Sequence, residues 1–317
     1  MINILANDGI SQSGKDALDN AGFNISTITV AQEQLANHIQ SNDIAVLLVR
    51  SATTVRKDLI DRCPNLKIIG RGGVGMDNID VEYARSKGIN VINTPAASSS
   101  SVAELVFAHL YGGVRFLHES NRSMPLEGDS NFKKLKKEYA KGVELRGKTI
   151  GIVGFGRIGR ETAKIALGIG MKVLAYDKFL KEASITLNFS HEKSVEFNIK
   201  ISKFNYLLEN SDFISLHVPA QKEFIIDKKQ FELMKDGVGI INAARGGVLN
   251  EVELISALDS GKVSFAGLDT FENEPKPEIK LLMHPNISLT PHIGAATNEA
   301  QDRIGKELAD QISNILN

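Results

Sequence analysis

The chain has 317 residues, which exceeds one typical domain and suits two. Its formal net charge of −1 excludes a global field that favours nucleic acid or membranes, and its single cysteine, Cys63, excludes an internal disulfide. No apolar run is long enough to span a bilayer, and the N-terminus lacks the basic start of a signal peptide, so we expect a cytoplasmic protein.

Short apolar runs alternate with helical segments over nearly the whole chain. The first part predicts strands at residues 2–5, 25–30, 44–49, 67–69 and 89–92. A serine run at 98–101 then caps a predicted helix over about 102–117. The second part predicts a final helix over about 295–315, preceded by strands at residues 149–153, 172–176, 213–217, 238–242, 265–268 and 287–289.

Near-continuous apolar strands interleaved with helices are typical of parallel sheets that are covered on both faces. We therefore predict an α/β fold with two doubly wound parallel-sheet domains. Prolines at Pro95 and Pro291 mark the points where the chain passes between them. The predicted domains are residues 1–94 with 293–317, and residues 95–292.

A glycine turn follows the strand at 149–153, and its residues are Gly154, Phe155, Gly156, Arg157, Ile158 and Gly159. Gly154 allows the sharp turn, Gly156 leaves room for a pyrophosphate, and Gly159 lets the next helix pack closely. The helix N-terminus favours phosphate. Asp177 ends the next strand, where it can bind both ribose hydroxyls and would repel a 2′-phosphate. The pattern predicts NAD rather than NADP.

Three charged residues each follow a strand in the second part of the chain: Arg245, Glu274 and His292. Oxidising an alcohol with NAD needs a group that takes a proton, for which histidine is suited. A carboxylate beside it favours the imidazolium, and a guanidinium binds a substrate carboxylate in two-pronged fashion. A helix cap, a plain turn and a helix-end contact are the alternative interpretations. No metal is expected.

The same segments, in this order, resemble the D-isomer-specific 2-hydroxyacid dehydrogenase family over nearly all of the chain. The resemblance implies a flavodoxin-like substrate domain, a Rossmann NAD-binding domain, and Arg245, Glu274 and His292 as the catalytic set. It also implies that the coenzyme is bound by the residues Gly154, Gly156, Arg157, Ile158, Gly159, Asp177, His217, Val218, Pro219, Ala243, Asp269 and Gly294.

Residues 49–53 and 70–80 resemble the substrate loops of the phosphoglycerate dehydrogenase branch of this family. The resemblance implies oxidation of 3-phosphoglycerate, the first step of serine synthesis. A substrate with a carboxylate and a phosphate needs several cations and backbone donors, although surface ion pairs would also explain the two arginines. The implied substrate contacts are Arg50, Ser51, Arg71, Gly73, Val74 and Gly75.

Two other functions stay open: a glyoxylate, hydroxypyruvate or other D-2-hydroxyacid reductase, and an NAD-binding corepressor-like protein. The resemblance also implies a homodimer through the helix at about 102–117 and the segment beyond it. Residues 179–204 are longer than is usual in the family, and no role is predicted for them. Longer relatives append a serine-sensing domain after the last helix, so we expect no inhibition by serine through that route.

Overall fold

The computed structural model describes residues 1–190 and 192–316. Contacts divide the chain into unit 1, which is Met1–Ser101 and the segment from Ala295 onward, and unit 2, which is Val102–Gly294. The expected divisions, after residues 94 and 292, lie a little earlier in the chain. Ser101 Oγ lies 2.8 Å from Thr297 Oγ1, so a side-chain contact within unit 1 joins residue 101 to the residue before the final helix.

The strands, numbered along the chain, are β1 (Asn3–Ala6), β2 (Asn24–Ser26), β3 (Ile44–Val49), β4 (Ile68–Arg71), β5 (Asn90–Asn93), β6 (Thr149–Val153), β7 (Lys172–Tyr176), β8 (Glu182–Asn188), β9 (Ser194–Lys200), β10 (Phe213–Leu216), β11 (Val238–Asn242), β12 (Val263–Leu268) and β13 (Ile287–Leu289). The helices are α1 (Gln12–Asn20), α2 (Gln32–Ser41), α3 (Lys57–Arg62), α4 (Val81–Ser86), α5 (Ser99–Val114), α6 (Leu117–Glu127), α7 (Phe132–Glu138), α8 (Arg157–Gly168), α9 (Phe204–Asn210), α10 (Lys228–Leu233), α11 (Glu251–Asp259), α12 (Ile279–Leu282) and α13 (Asn298–Leu316).

Unit 1 contains a five-stranded parallel sheet in the order β2-β1-β3-β4-β5. This is the flavodoxin-like strand order of a doubly wound fold. Two apolar clusters cover its faces, and α13 packs into one of them through Ile304, Leu308 and Ile312. The carboxyl ends of β3 and β4 carry Arg50 and Arg71, so the sheet places both arginines at one edge.

Unit 2 contains a six-stranded parallel sheet in the order β13-β12-β11-β10-β6-β7. The order reverses between β6 and β10, and in open α/β sheets ligands bind beside such a switch point at the carboxyl ends of the strands. With the sheet of unit 1, this confirms the predicted α/β class. Within the described residues, no helix combines the length and apolar character needed to cross a membrane.

Between residues 182 and 200, strands β8 and β9 pair as an antiparallel hairpin that the sequence analysis did not predict; residue 191 lies outside the described residues. The hairpin packs Ala183 and Ile185 into the core beside α8, and these two side chains are buried. Regular pairing with the main sheet is absent there among the described residues, where only an isolated parallel bridge joins Ile201 to Ala175 of β7. The hairpin thus lies between β7 and α9 in the chain.

Candidate functional site

The glycine turn between β6 and α8 is shaped by close backbone contacts. Gly154 has φ of 92°, and its N–H donates to the Tyr176 carbonyl at 2.8 Å. A Cβ at this position would lie 2.3 Å from the His217 carbonyl oxygen, so a side chain is excluded. A Cβ at Gly159 would lie 2.2 Å from the carbonyl oxygen of Gly154. The turn therefore holds its shape only with glycine at both positions.

The middle of the turn, in contrast, faces open space. Apart from Gly156 and its two neighbours in the chain, no heavy atom of the described residues lies within 4 Å of the point where Gly156 would carry a Cβ. Gly156 precedes α8, whose first N–H groups, at Arg157 and Ile158, have no partner within the helix. Room, orientated N–H groups and the positive end of the helix dipole are what a pyrophosphate requires.

Asp177 lies directly after β7 and beside the glycine turn. Its Oδ2 accepts a hydrogen bond from the Phe155 N–H at 2.9 Å, and its Oδ1 accepts one from the Phe179 N–H at 2.9 Å. The carboxylate is therefore fixed in orientation, while each oxygen retains a lone pair for a ribose hydroxyl. Turn, helix and acid together fit a dinucleotide.

The segment that follows β10 packs against the turn. His217 Nε2 lies 2.8 Å from Ser215 Oγ and 3.2 Å from Thr162 Oγ1 of α8. Burial lowers the pKa of His217 to about 3, so the ring is neutral at physiological pH. Val218 packs near Gly154, and Pro219 is exposed. Within unit 2, His217 thus links the end of β10 to α8.

His292 and Glu274 form a direct pair. His292 Nδ1 lies 2.9 Å from Glu274 Oε2, and Glu274 Oε1 accepts a hydrogen bond from the Phe271 N–H at 3.0 Å. The two side chains are 36% and 37% exposed, which leaves the far side of the imidazole open to a ligand. Burial acts to raise the pKa of Glu274, but the hydrogen bonds from His292 and Phe271 and the charge of Arg245 outweigh it and lower the pKa.

Arg245 lies in the loop after β11, and its charge acts on Glu274 in the loop after β12. The Asn242 side chain holds the first loop, since it donates to the Arg245 carbonyl at 3.0 Å. A Cβ at Gly246 would lie 1.8 Å from the Phe271 carbonyl oxygen, so glycine permits the two loops to touch. The structure thus brings the three predicted catalytic side chains to one edge of the sheet.

Asp269 follows β12 and is buried, with 1% exposure. Its Oδ1 accepts hydrogen bonds from Thr290 Oγ1 at 2.6 Å and from the Ile293 N–H at 2.8 Å, and its Oδ2 accepts one from the Gly294 N–H at 2.8 Å. These bonds shape the loop that carries His292, whose own φ is 55°. Asp269, expected as a coenzyme contact, thus anchors this loop, while Ala243 lies buried just after β11.

The sequence analysis missed a second acidic contact beside Glu274. The Glu251 N–H donates to Glu272 Oε1 at 2.9 Å, and the Glu272 N–H donates to Glu251 Oε1 at 2.8 Å. This reciprocal pair joins the start of α11 to the Glu274 loop. Burial, followed by the negative charges of Glu272, Glu278 and Glu274, raises the pKa of Glu251 to about 7. In the sequence, an acid at the start of a helical segment is a signal for Glu251, but no pattern in the sequence identifies Glu272 as its partner.

In unit 1, the loop that contains Arg50 and Ser51 is held by Asp8. Asp8 Oδ2 accepts hydrogen bonds from the Arg50 N–H at 2.6 Å and the Thr53 N–H at 3.1 Å. Burial lowers the pKa of Arg50, and the Asp8 charge opposes this effect. The group stays a cation because arginine ionises at very high pH. Ser51 is exposed.

Arg71 packs against the glycine-rich loop after β4. A Cβ at Gly73 would lie 1.8 Å from Arg71 Nη1, so the guanidinium covers the backbone there. The Val74 carbonyl accepts a hydrogen bond from Asn93 Nδ2 at 2.7 Å, and the Gly73 carbonyl accepts one from the Thr94 N–H at 3.1 Å. The loop that leads to Gly75 is therefore ordered by strand β5 and its end.

Three comparisons place the chain among known proteins. A family model described as "D-isomer specific 2-hydroxyacid dehydrogenase, NAD binding domain" matches residues 107–294. The D-3-phosphoglycerate dehydrogenase of Archaeoglobus fulgidus is 40% identical over 316 residues, which are 98% of this chain and 57% of that protein. The hydroxypyruvate reductase of Thermotoga maritima is 46% identical over 275 residues, which are 85% of this chain and 84% of that protein.

A solved structure has the same fold. The D-lactate dehydrogenase of Aquifex aeolicus, complexed with NAD and lactic acid, is 30% identical with a TM-score of 0.75, and the match covers 100% of this chain and 95% of that one. In contrast, this chain spans only 57% of the length of the Archaeoglobus protein, little more than half.

The Glu251 carboxyl predicts a pH-dependent stability. Its pKa is raised from 4.5 to about 7 in the folded protein, so its stabilising contribution is complete below pH 4.5 and is lost as pH rises through 7. The loss is on the order of 3 kcal/mol. We expect Glu251→Gln to raise the melting temperature at pH 8 and to raise it less toward pH 5, as measured by calorimetry.

Glu253→Gln, in the same helical turn but outside the reciprocal pair, is the matched control and should leave the pH dependence unchanged. A Glu251→Gln protein that melts with the same pH dependence as the unmodified protein would contradict the raised pKa.

Proposed function

Because the chain belongs to the D-isomer-specific 2-hydroxyacid dehydrogenase family, we propose that it is an NAD-dependent dehydrogenase that interconverts 3-phosphoglycerate and 3-phosphohydroxypyruvate. This reaction opens serine synthesis. The observation that carries the proposal is the His292–Glu274 pair, 2.9 Å apart and under the charge of Arg245, in the unit that bears the glycine turn. The lone, buried Cys63 is compatible with the cytoplasm.

His292 exchanges the proton of the substrate hydroxyl. Its Nδ1 is occupied by Glu274, so Nε2 is the nitrogen that takes the proton during oxidation and returns it during reduction. The ionised Glu274 stabilises the imidazolium that forms and fixes the ring orientation. When bound, NAD supplies the hydride acceptor for the substrate carbon. Gly156, the start of α8 and Asp177 are the groups that would hold it.

Arg245 binds the substrate carboxylate and polarises the carbonyl of the oxo acid. A guanidinium offers two parallel N–H donors to a carboxylate, and it is charged throughout the working pH range. The Asn242 side chain orders the backbone of this loop, which limits the freedom of Arg245 before substrate binds. The geometry supports an orientating role as well as an electrostatic one.

Arg50 and Arg71 recognise the additional negative charge of a phosphorylated substrate. Arg50 follows β3 and Arg71 is the last residue of β4, so both lie at the same edge of the sheet of unit 1. Burial strips water from Arg50, and a partly desolvated cation gains more from an anionic ligand than an exposed one does. Val74 and Gly75 offer backbone N–H groups to the carboxylate, whereas the Gly73 N–H donates to the Arg71 carbonyl at 2.9 Å.

One observation favours a second candidate, the reduction of unphosphorylated hydroxypyruvate. The Thermotoga hydroxypyruvate reductase is 46% identical and is matched over 84% of its length, whereas the Archaeoglobus phosphoglycerate dehydrogenase is 40% identical and matched over 57%. Both candidates use the same proton-transfer pair. They differ only in the group that the arginines of unit 1 must recognise.

We also propose a homodimer through α5, α6 and α7. These helices expose several large apolar side chains, with Leu126 84% and Leu117 63% exposed, and large exposed apolar patches are typical of protein–protein contacts. The other exposed members are Tyr111, Met124 and Phe132.

The proton-transfer role predicts that His292→Ala lowers kcat by about 100-fold or more, because a general base contributes that much. NADH binding, measured by its own fluorescence, should stay within a few-fold because the coenzyme contacts are retained. His284→Ala, which alters a histidine before β13 rather than after it, is the control and should keep full turnover. Turnover of the His292 variant within a few-fold of normal would remove the proposed role.

Substrate class is decided by comparing phosphohydroxypyruvate with hydroxypyruvate in NADH oxidation. We expect Arg50→Gln to lower kcat/KM for the phosphorylated compound by about 10- to 100-fold, the value of one or two charged hydrogen bonds, and to change the other compound much less. Arg56→Gln, which alters an exposed arginine paired with Asp80, is the control. Preference of the unmodified protein for hydroxypyruvate would favour the second candidate.

The dimer predicts a mass in light scattering of twice that of one chain. Leu126→Glu should shift the protein toward monomer, because a charge in an apolar contact is costly. Ile279→Glu, at a position 75% exposed outside this surface, should leave the mass unchanged. A monomer at all protein concentrations would contradict the proposal.

A further inference from the structure

A series of hydrogen-bonded polar side chains connects helix α5 to the loop that carries His292; His109 and Asp269 are buried, and Ser288 and Thr290 are partly buried. His109 of α5 is 3% exposed, and both of its ring nitrogens have partners. Nδ1 lies 2.9 Å from Ser288 Oγ, and Nε2 lies 3.0 Å from Thr290 Oγ1. Thr290 Oγ1 in turn lies 2.6 Å from Asp269 Oδ1. Asp269 then binds the two backbone N–H groups that follow His292.

The chemistry of these side chains determines which of them donates and which accepts each hydrogen bond. Asp269 accepts hydrogen bonds from two backbone N–H groups and from Thr290, so the one hydrogen of the Thr290 hydroxyl is donated to Asp269. Thr290 must then accept a hydrogen bond from His109 Nε2–H. A neutral ring with its proton on Nε2 leaves Nδ1 as the acceptor for Ser288. Burial lowers the pKa of His109, and the charge of His118 lowers it further. The charge of Asp269 acts to raise this pKa but is outweighed.

Tight packing fixes the ring in place. Gly267 of β12 lies so close to α5 that a Cβ there would be 2.6 Å from the Cβ of His109. His109 therefore reaches Thr290 from a helix that directly abuts the sheet. Without it, the Thr290 hydroxyl would lose its buried donor and could rotate away from Asp269.

We propose that His109 is a positioning residue for His292. It orientates the Thr290 hydroxyl, the hydroxyl fixes Asp269, and Asp269 holds the backbone of Ile293 and Gly294 so that the imidazole meets Glu274. The role rests on the proposed dehydrogenase function, in which His292 exchanges the proton. His109 itself has no contact with the reacting groups in this scheme.

The first test is His109→Leu in the full chain. We expect kcat to fall about 5- to 10-fold with the KM for NAD within twofold, because a misplaced base slows the chemical step and leaves coenzyme binding intact. Thr290→Val should lower kcat by a similar factor. The double variant should be no worse than the more impaired single variant, because both changes interrupt one chain. A fully additive double variant would overturn the proposal.

Two further variants separate positioning from packing. His109→Gln, whose amide can donate to Thr290, should recover most of the lost kcat. Val106→Ala removes buried volume from the same helix and should lower stability without changing the kcat of the folded protein. A Gln variant as slow as the Leu variant would overturn the hydrogen-bonding role, as would a Val106→Ala protein as slow as either.

Histidine NMR provides a readout that does not depend on turnover. In the unmodified protein His109 should show the neutral Nε2–H tautomer, and a ring protonated on Nδ1 would overturn the proposal. The ring signals of His292 should move in His109→Leu and stay in place in Val106→Ala. If His292→Ala retained turnover, the proposed function would fail. If His292→Ala lost turnover while His109→Leu kept full kcat and unchanged His292 signals, only this inference would fail.

Discussion

The geometry of the candidate site depends on one buried carboxylate, that of Asp269. A carboxylate with 1% exposure is costly unless its oxygens are paired, and here three donors from a single loop pair them. The same bonds that satisfy the charge therefore give the loop of His292 its shape, including a left-handed φ at His292 itself. The hydrogen bonds that satisfy the buried charge are thus the same ones that set the geometry of the candidate site.

The loops at the carboxyl edge of the unit 2 sheet are subject to a different constraint, which is steric. The glycine turn lies against the His217 carbonyl, and the Arg245 loop touches the Glu274 loop at Gly246. At both points an added Cβ would lie within 2.3 Å of a carbonyl oxygen, so backbone meets backbone without a side chain between. Parallel strands bring these loops to one edge, and glycine then sets how closely they approach.

Sequence patterns predicted the features that depend on local order. Apolar runs located β6, β7, β11 and β13 at their observed bounds, and the residues after those strands predicted the site. The hairpin β8–β9 lacks the near-continuous apolar runs that predicted the other strands, since buried and exposed residues alternate along β8. The pairs Glu251–Glu272 and His109–Thr290 join residues far apart in the chain, so no spacing in the sequence could reveal them.

Two carboxyls, Glu274 in the loop after β12 and Glu251 at the start of α11, show how environment, rather than residue type, sets the charge of a glutamate. Glu274 receives hydrogen bonds from His292 and Phe271, and its pKa is lowered. Glu251 is buried among other acids, and its pKa rises to about 7. Near neutral pH, Glu274 is therefore ionised beside His292, whereas Glu251 at the start of α11 is partly protonated. The electrostatic support for an imidazolium then comes chiefly from Glu274, whose orientation the Phe271 N–H fixes.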